Sequence, residues 1–483
     1  LYTENEATTL LFMGRIPIVL IGCLLGLLIW LWTRDLVGHS AAHIALFLFA
    51  FTPDFLAHSQ LITTDLPVAT FVFASAYLLW RSCRRWTIIN VGLGGLAFGA
   101  AIASKFSALI ILPILVFYWV VRLFSNRPWP CRMGFGQSER TLVTLHQRLR
   151  PLAISGAVHI VIPLLTIWTL YGFHYDQPFS DSGDSFYAWE RFESQGVVAG
   201  SIKLARKIHL VPEPFAYGLL VVAGTTQRSS FLNGEYSTTG WWYYFLETFC
   251  IKTPIPLFLA ILTALLFLPL RFRKRSWSHL ALFAPAALYF VLASASDMNI
   301  GHRHLLPMYP FLFVLGAEAV ARLYSRPLLK VAVFLLLGWQ AIGTINQHPN
   351  YLGYFNEFIG GSSNEWKYVV DSNLDWGQDL PGLKRWMDNH GVKKIKLSYL
   401  GTGVPEYYGI DYDPLPSFFP LPRTDFVPVK SGDIVAVSAT NLQAVHFRHY
   451  QKFVDFMTHL RSLEPIAVIG NSIFVFKLPP SGS

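Results

Sequence analysis

Long apolar runs in this chain alternate with polar turns, and the turns are of two kinds. Arg81, Arg84 and Arg85 form one basic turn, Arg271, Arg273, Lys274 and Arg275 a second, and Arg322, Arg326 and Lys330 a third. At the opposite ends of the same runs lie Thr63-Thr64-Asp65-Leu66-Pro67, Ser104-Lys105-Phe106 and Gly301-His302-Arg303-His304. Lys and Arg accumulate on the cytoplasmic turns of membrane proteins, which assigns the first set to the cytoplasm and the second to the outer side. Charge near a bilayer is costly without a use, so polar groups gathered at one end of a bundle mark a candidate site.

Composition narrows the class. Of 483 residues, 53% are hydrophobic and only 14% charged, with a mean hydropathy of +0.40. Soluble domains carry about a quarter charged residues, so the chain reads as a polytopic α-helical membrane protein. The net charge of +9 invites a nucleic-acid partner, but much of the excess sits at cytoplasmic turns where it sets topology, and none is expected. Cys23, Cys83, Cys131 and Cys250 are too few and too scattered for a disulfide framework or a zinc site.

A span needs about 20 apolar residues. About ten are visible, at 15–33, 40–57, 66–80, 86–103, 107–123, 151–171, 255–270, 278–295, 306–321 and 328–345. Alternation from an outer N-terminus puts the loop 124–150, with Arg127, Arg132, Arg140, Arg148 and Arg150, on the inside, as the charge rule asks. Two long segments then lie outside. Residues 172–254 are an aromatic-rich loop whose end, Gly240 to Phe245, has the Trp and Tyr content of an interfacial helix. Residues 346–483 have soluble character and follow the multi-span domain 1–345 as a C-terminal extracytoplasmic α/β domain. Strands are expected there at 366–371, 393–400 and 433–438, helices at 379–390 and 443–463, and a closing hairpin at 465–478 around Gly470-Asn471. The chain opens on Leu1 rather than Met with no signal-peptide pattern, and is expected to lack a first span.

Each candidate residue has a plain structural explanation beside the functional one. Asp65, just before Leu66-Pro67, suits an ordinary helix start as well as a site. Lys105, between two runs with almost no loop, is either a lysine snorkelling outward or a point charge for a phosphate. Arg303 stands on a turn where the charge rule disfavours it, and its planar fork matches a phosphate. His302 and His304 flank it, and their i, i+2 spacing puts them on different sides of a helix, against a metal pair. Arg15, at the outer start of the first run, is a candidate of the same kind that interfacial anchoring explains equally well. The stretch Asp371 to Asp379 looks like a calcium loop but lacks the sixth-position Gly and the twelfth-position Glu. A turn rich in capping side chains explains most of it, and acceptor contacts through Asp371 and Asp375 are the functional alternative.

In order, Gly14-Arg15-Ile16-Pro17, Thr64-Asp65-Leu66-Pro67, Ser104-Lys105-Phe106-Ser107 and His302-Arg303-His304-Leu305-Leu306-Pro307 resemble the protein O-mannosyltransferase superfamily, in particular its bacterial phospholipid-carrier-dependent glycosyltransferases. The stretches Trp241 to Pro256 and Asp371 to Asp379 resemble that branch too, so the resemblance runs over essentially the whole chain. It implies a type C glycosyltransferase that moves a hexosyl (mannosyl) or pentosyl group from a polyprenyl-phosphate carrier to a protein or lipid-linked acceptor at the outer membrane face, with inversion. Lys105, Arg303, His302, His304 and Arg15 would then bind the donor phosphate, and Asp371 and Asp375 the acceptor. Asp65 matches a second acidic position of the family and takes a supporting role, because the family's main acidic residue belongs to a loop expected upstream of Leu1, for which Glu4 and Glu6 are poor substitutes. A bacterial inner membrane with a periplasmic active face follows from the subfamily. No cofactor is specified and a divalent metal is left open.

Two other classes compete. A transporter would place polar residues near mid-membrane on broken helices, usually with an internal repeat, and neither is visible. A non-catalytic subunit of a membrane protein complex could retain this fold without the chemistry. The enzyme reading makes the sharpest demand: Asp65, Lys105 and Arg303 must converge on one outer cavity.

Overall fold

The computed structural model describes residues 5–134, 138–176, 189, 197–224, 228–273, 277–423 and 428–480. Its first part is a helical bundle: α1 (Ala7–Leu36), α2 (His39–Ala50), α3 (Pro53–His58), α4 (Asp65–Arg84), the two-residue β1 (Trp86–Thr87), α5 (Ile88–Ser104), α6 (Ile111–Leu123), β2 (Trp129–Arg132), β3 (Arg140–Leu142) and α7 (Leu145–Leu170). The aromatic-rich segment holds α8 (Val197–Lys207), α9 (Glu213–Gly224), the hairpin β4 (Ser230–Leu232) and β5 (Glu235–Ser237), and α10 (Tyr244–Lys252). Four more long helices follow, α11 (Ile255–Arg273), α12 (Trp277–Ser294), α13 (Tyr309–Tyr324) and α14 (Pro327–Asn346), with a 3-10 turn His302–Met308 leading into α13.

Seven of these segments are long and apolar enough to cross a membrane, and α2, α5 and most of α11 are shorter apolar helices at the places of the other three expected spans. The run 40–57 is therefore not one span: it breaks at Phe51-Thr52, where Pro53 cannot continue a helix and starts α3 instead. α9 is a short apolar helix that the sequence pattern left inside a loop. The bundle has a centre and a rim. In α4 and in His302–Tyr324, 83% of the apolar window is buried, against 22% in α7 and 17% in α14. Trp32 of α1 packs against Phe73, Tyr77 and Trp80 of α4 and against Phe311 of α13, so aromatic contacts fill the centre. The basic turn at Arg271 is described only in its backbone, and Lys274 and Arg275 lie outside the described residues.

The C-terminal part carries a five-stranded sheet in the order β7 (Tyr412–Pro414), β6 (Ile395–Ser398), β8 (Ile434–Ser438), β10 (Ile473–Lys477), β9 (Ala467–Ile469). β6 runs parallel to β7 and β8, and β10 antiparallel to β8 and β9. α15 (Leu380–Asn389) covers one face through Leu383 and Met387, which pack with Leu397 and Val475. On the other face Val435, Val437, Phe474 and Phe476 pack with Phe453, Met457 and Leu460 of α17 (Gln451–Ser462). Strands buried on both faces read as apolar runs, which is why β8 and the hairpin lie where the sequence places them; β6, Ile-Lys-Leu-Ser, is buried throughout with Lys396 paired to Asp413. Two expectations fail. Residues 366–371 form no strand but two 3-10 turns, Glu365–Lys367 and Asp371–Asn373. The helix expected over 443–463 begins only at α17, because Ala444 at φ 53° breaks its start, and a short α16 (Ala439–Leu442) precedes the expected range.

The first of those turns buries Glu365, whose Oε2 has no partner among the described residues. Burial pushes its carboxyl up from the ordinary 4.5 to about 8. The folded chain thus holds a proton that the unfolded chain releases, so this group makes stability fall as pH rises from 4.5 to about 8 and level off above. The slope amounts to at most about 1.4 kcal/mol per pH unit. Thermal unfolding in detergent across that range should show a flatter pH dependence in Glu365→Gln, and an unchanged slope would refute the assignment.

Candidate functional site

Asp65 opens α4, but its carboxylate does not cap the helix: the N-cap is Thr64, and no side chain bonds there. Instead Asp65, buried to 1% exposure, accepts from Lys105 Nζ at 2.7 Å and from Arg303 Nη1 at 3.4 Å. Each partner is delivered by a break in a helix. Lys105 ends α5 in an extended conformation before a 3-10 turn, Phe106–Ile110. Arg303 lies in the 3-10 turn after Gly301, where an added Cβ would collide with Ser372 Oγ, so only glycine allows this approach between bundle and C-terminal part. The Arg303 guanidinium stacks on Trp376, 4.5 Å from the ring centroid, and its Nε finds no partner among the described residues. The carboxylate is sealed, with 2% of its side chain exposed, while Lys105 keeps 26% and Arg303 16%. What remains reachable from outside is a pair of cations.

A second polar cluster adjoins the first. Asp54 of α3 pairs with Lys252 at the end of α10 at 3.1 Å, both buried. The His302 ring meets Tyr309 OH at 2.8 Å and lies 3.7 Å from Asp54 Oδ2, and Tyr309 OH is 2.6 Å from Thr253 Oγ1. Asn373 fastens the C-terminal part to this cluster: its Oδ1 accepts from His302 N at 2.8 Å, its carbonyl accepts from Lys252 Nζ at 2.5 Å, and its Nδ2 donates to Tyr244 OH at 2.9 Å. Neither Asp54 nor Lys252 stood out in the sequence. Thr52-Pro53-Asp54 reads as a plain helix start, and Lys252 closes an aromatic stretch. Both sit at the ends of apolar runs opposite the basic turns, however, and the sidedness that singled out Asp65 applies to them equally.

Arg303 also lines a cavity of about 310 Å³ with Asp371, Asp375, Trp376, Phe418 and His446. Asp371 has φ 59°, a left-handed conformation that few residues other than glycine adopt, held by its N–H donating to Thr440 Oγ1 at 2.9 Å. Its Oδ1 accepts from Ser372 N, and its Oδ2 lies 4.0 Å from His446 Nε2. Side-chain exposure of 29% leaves Asp371 open to the cavity, while burial on its other sides pushes its carboxyl above the ordinary range. Burial does the same to Asp375, which accepts from Gly377 N at 2.8 Å.

Of the residues expected at the site, the structure joins Asp65, Lys105 and Arg303 directly, and places Asp371 and Asp375 in the cavity Arg303 opens on. His302 is taken up in the Asp54 cluster, and His304 is half-buried against Phe245, 6.3 Å between ring centroids. Neither histidine lines the cavity. Arg15 lines a different one, of about 240 Å³, beside Asp379 and Arg385. Glu6 is exposed beside the start of α1, and Glu4 lies outside the described residues. Among the described residues no group of three or more His, Cys, Asp or Glu is arranged to hold a metal ion.

Residues 8–134 match the model of the family described as dolichyl-phosphate-mannose-protein mannosyltransferase, a segment that includes Arg15, Asp65 and Lys105. No curated protein matches the chain. Among solved structures, ArnT from Cupriavidus metallidurans in the apo state is similar over 95% of this chain and 83% of its own, at 14% identity and a TM-score of 0.44. The same protein bound to undecaprenyl phosphate is similar over 96% and 83%, at 14% and 0.42. The apo oligosaccharyltransferase of Archaeoglobus fulgidus is similar over 92% of this chain and 57% of its own, at 14% and 0.44. Such likenesses are too loose to set residue against residue.

Removing Asp65 would strand two partly buried cations. Asp65→Ala is expected to cost about 2–4 kcal/mol of stability, measured by unfolding in detergent. Asp65→Ala combined with Lys105→Met should be less destabilised than Asp65→Ala alone, because one unpaired charge goes with it. Simple additivity of the two changes would contradict the bridge.

Proposed function

We propose that this integral membrane protein transfers a sugar from a polyprenyl-phosphate carrier to an acceptor hydroxyl at the outer membrane face. The observation that carries the reading is the cation pair Lys105 and Arg303, fixed by one buried carboxylate where three spans end, beside a cavity containing two further carboxylates. Lys has three N–H donors and Arg five, and Asp65 takes one bond from each, so donors are left for a phosphate. The carrier holds the phosphate at headgroup depth, and the outer ends of spans lie at that depth. The match of residues 8–134 to a family described by a lipid-phosphate sugar donor supports the same reading.

The step is a displacement at the anomeric carbon. The acceptor oxygen forms the new bond to C1 as the bond from C1 to the phosphate oxygen breaks, with the electron pair leaving on the lipid phosphate. Phosphate gains a negative charge in that step, and Lys105 and Arg303 are placed to stabilise it as it develops. Asp65 supports them by fixing both head groups; tied to two cations, it is poorly suited to take a proton. Asp371 suits that role better, having an oxygen open to the cavity and His446 beside it. Asp375 and Trp376 would hold the acceptor. A single displacement inverts the anomeric centre. The sugar is a hexose or pentose and the acceptor a protein or lipid-linked hydroxyl; the basic turns at the other end of the spans support a site on the non-cytoplasmic side, and the resemblance to the bacterial branch supports a periplasmic one in an inner membrane.

Transfer assays with polyprenyl-phosphate sugars in reconstituted vesicles test this. Lys105→Ala and Arg303→Ala should each lower transfer by about 100-fold or more. Asp371→Asn should lower kcat by about 100-fold with donor KM little changed. A base works only when deprotonated, so wild-type kcat should rise with pH through a carboxyl titration above the ordinary 3.8, and Asp371→Asn should lose that limb. Undiminished transfer in the Lys105 and Arg303 variants would sink the site, and a wild-type protein inactive on every lipid-phosphate sugar would favour a non-catalytic subunit.

A further inference from the structure

At the far end of α4 from Asp65, 20 residues or about 30 Å away, lies a second cavity of a different character. Its volume of about 760 Å³ is more than twice that of the cavity beside Arg303. Arg81, Arg84, Arg85 and Arg132 line it, together with the carboxylate of Asp35. A signal for topology requires only that arginines lie on this side of the membrane. Here they are built into a shape. β1 pairs in parallel with β2, setting Thr87 opposite Arg132, and β2 pairs with β3, so a small sheet brings an arginine from a distant loop to the end of α4. Trp86 and Trp129, both buried, anchor that sheet, with Trp129 Nε1 donating to Ser82 O at 2.9 Å.

The charges around this cavity do not balance. Glu139 is taken by Arg85 at 2.6 Å. Asp35 is already shared by Arg34 at 2.8 Å and the Tyr77 hydroxyl at 2.7 Å. Arg84 lies on Trp80, 4.8 Å from the ring centroid, and gives Nη1 to the Asp35 carbonyl at 3.2 Å. Arg81 lies on Tyr77 at 5.7 Å. Among the described residues no ion pair joins Arg81 or Arg132 to a carboxylate, and Asp35 acts on Arg81 only at longer range, so four arginines line the cavity against two carboxylates that Arg34 and Arg85 already hold. Its other wall is apolar. Ile89 and Leu93 of α5 line it and are 51% and 48% exposed, and Leu96, 51% exposed, continues the same helical face toward mid-membrane at i, i+4, i+7 spacing. A cationic pocket that runs directly into a lipid-facing apolar stripe matches a ligand with a phosphate at one end and a hydrocarbon chain at the other.

We propose that this cavity binds the phosphate of an anionic phospholipid on the cytoplasmic face, with Arg81 and Arg132 on the phosphate oxygens and an acyl chain along Ile89, Leu93 and Leu96. Basic pockets between spans on that face take lipid head groups for the same electrostatic reason. The site is separate from the proposed transfer site and does not depend on it. Free phosphate offers the same oxygens without the chain, and the experiment tells the two apart.

Native mass spectrometry of the full chain in detergent, titrated with phosphatidylglycerol, phosphatidylcholine or inorganic phosphate, reads the occupancy directly. Phosphatidylglycerol adducts should form at about tenfold lower concentration than phosphatidylcholine adducts, and Arg81→Gln with Arg132→Gln should erase most of that difference. Arg326→Gln with Lys330→Gln, which removes two charges from another basic turn, should leave it intact and controls for general charge. Inorganic phosphate binding as well as the lipid would overturn the role of the apolar stripe. Equal adducts of the two lipids, or equal losses in the two double variants, would overturn the site itself. An unfolding midpoint for the Arg81 and Arg132 variant within a few degrees of wild type establishes that lost binding is not lost fold.

Discussion

The carboxylate of Asp65, sealed from solvent and shared between Lys105 and Arg303, is the interaction on which this end of the bundle depends. It ties the start of α4, the end of α5 and the turn before α13, which are distant in sequence, to one point. Burying a carboxylate alone is prohibitively costly, and the two cations offset that cost only where all three chain ends are in place. The same arrangement leaves the carboxylate inaccessible and the cations partly open, so the bridge that fixes the fold also presents positive charge outward. Structure and proposed chemistry thus rest on the same atoms.

The neighbouring cluster extends the constraint to the C-terminal part. Asn373 bonds to His302, Lys252 and Tyr244, three residues on two segments of the bundle, while Gly301 lets Ser372 approach closely enough for its Oγ to donate to Ile300 O at 2.7 Å. The turn Asp371–Asn373 is therefore pinned from below, and the left-handed backbone at Asp371 is held in place by its surroundings. The stretch that resembles a calcium loop joins bundle and sheet, with Asp371 and Asp375 lining the cavity beside Arg303 and Asp379 lining the one beside Arg15.

Much of this was legible in the sequence because the governing signals are local or additive. Apolar runs locate the spans, and the sidedness of Arg and Lys predicts that Asp65, Lys105 and Arg303 share an end, which the ion pairs confirm. The strands β8 and β10 follow from their apolar runs. What failed depended on tertiary contact. Trp366 to Asp371 has the pattern of a strand, but Glu365 is buried beside it and Asp371 turns left-handed against Thr440, so no ladder forms. Asp54 and Lys252 pair across about two hundred residues, and nothing near either one announces the other. The histidines beside Arg303 illustrate the same limit: adjacency in sequence placed them at the phosphate, whereas a 3-10 turn points His302 at Tyr309.

The central claim is that Lys105 and Arg303, held by Asp65, receive the phosphate of a lipid carrier. A cryo-electron microscopy structure of the reconstituted chain with a polyprenyl phosphate tests it most directly. The account predicts phosphate density within hydrogen-bonding distance, about 3 Å, of Lys105 Nζ and the Arg303 guanidinium, with the polyprenyl chain passing out between spans. Phosphate density lodged elsewhere on the outer face, with Lys105 and Arg303 still bound only to Asp65, would contradict it.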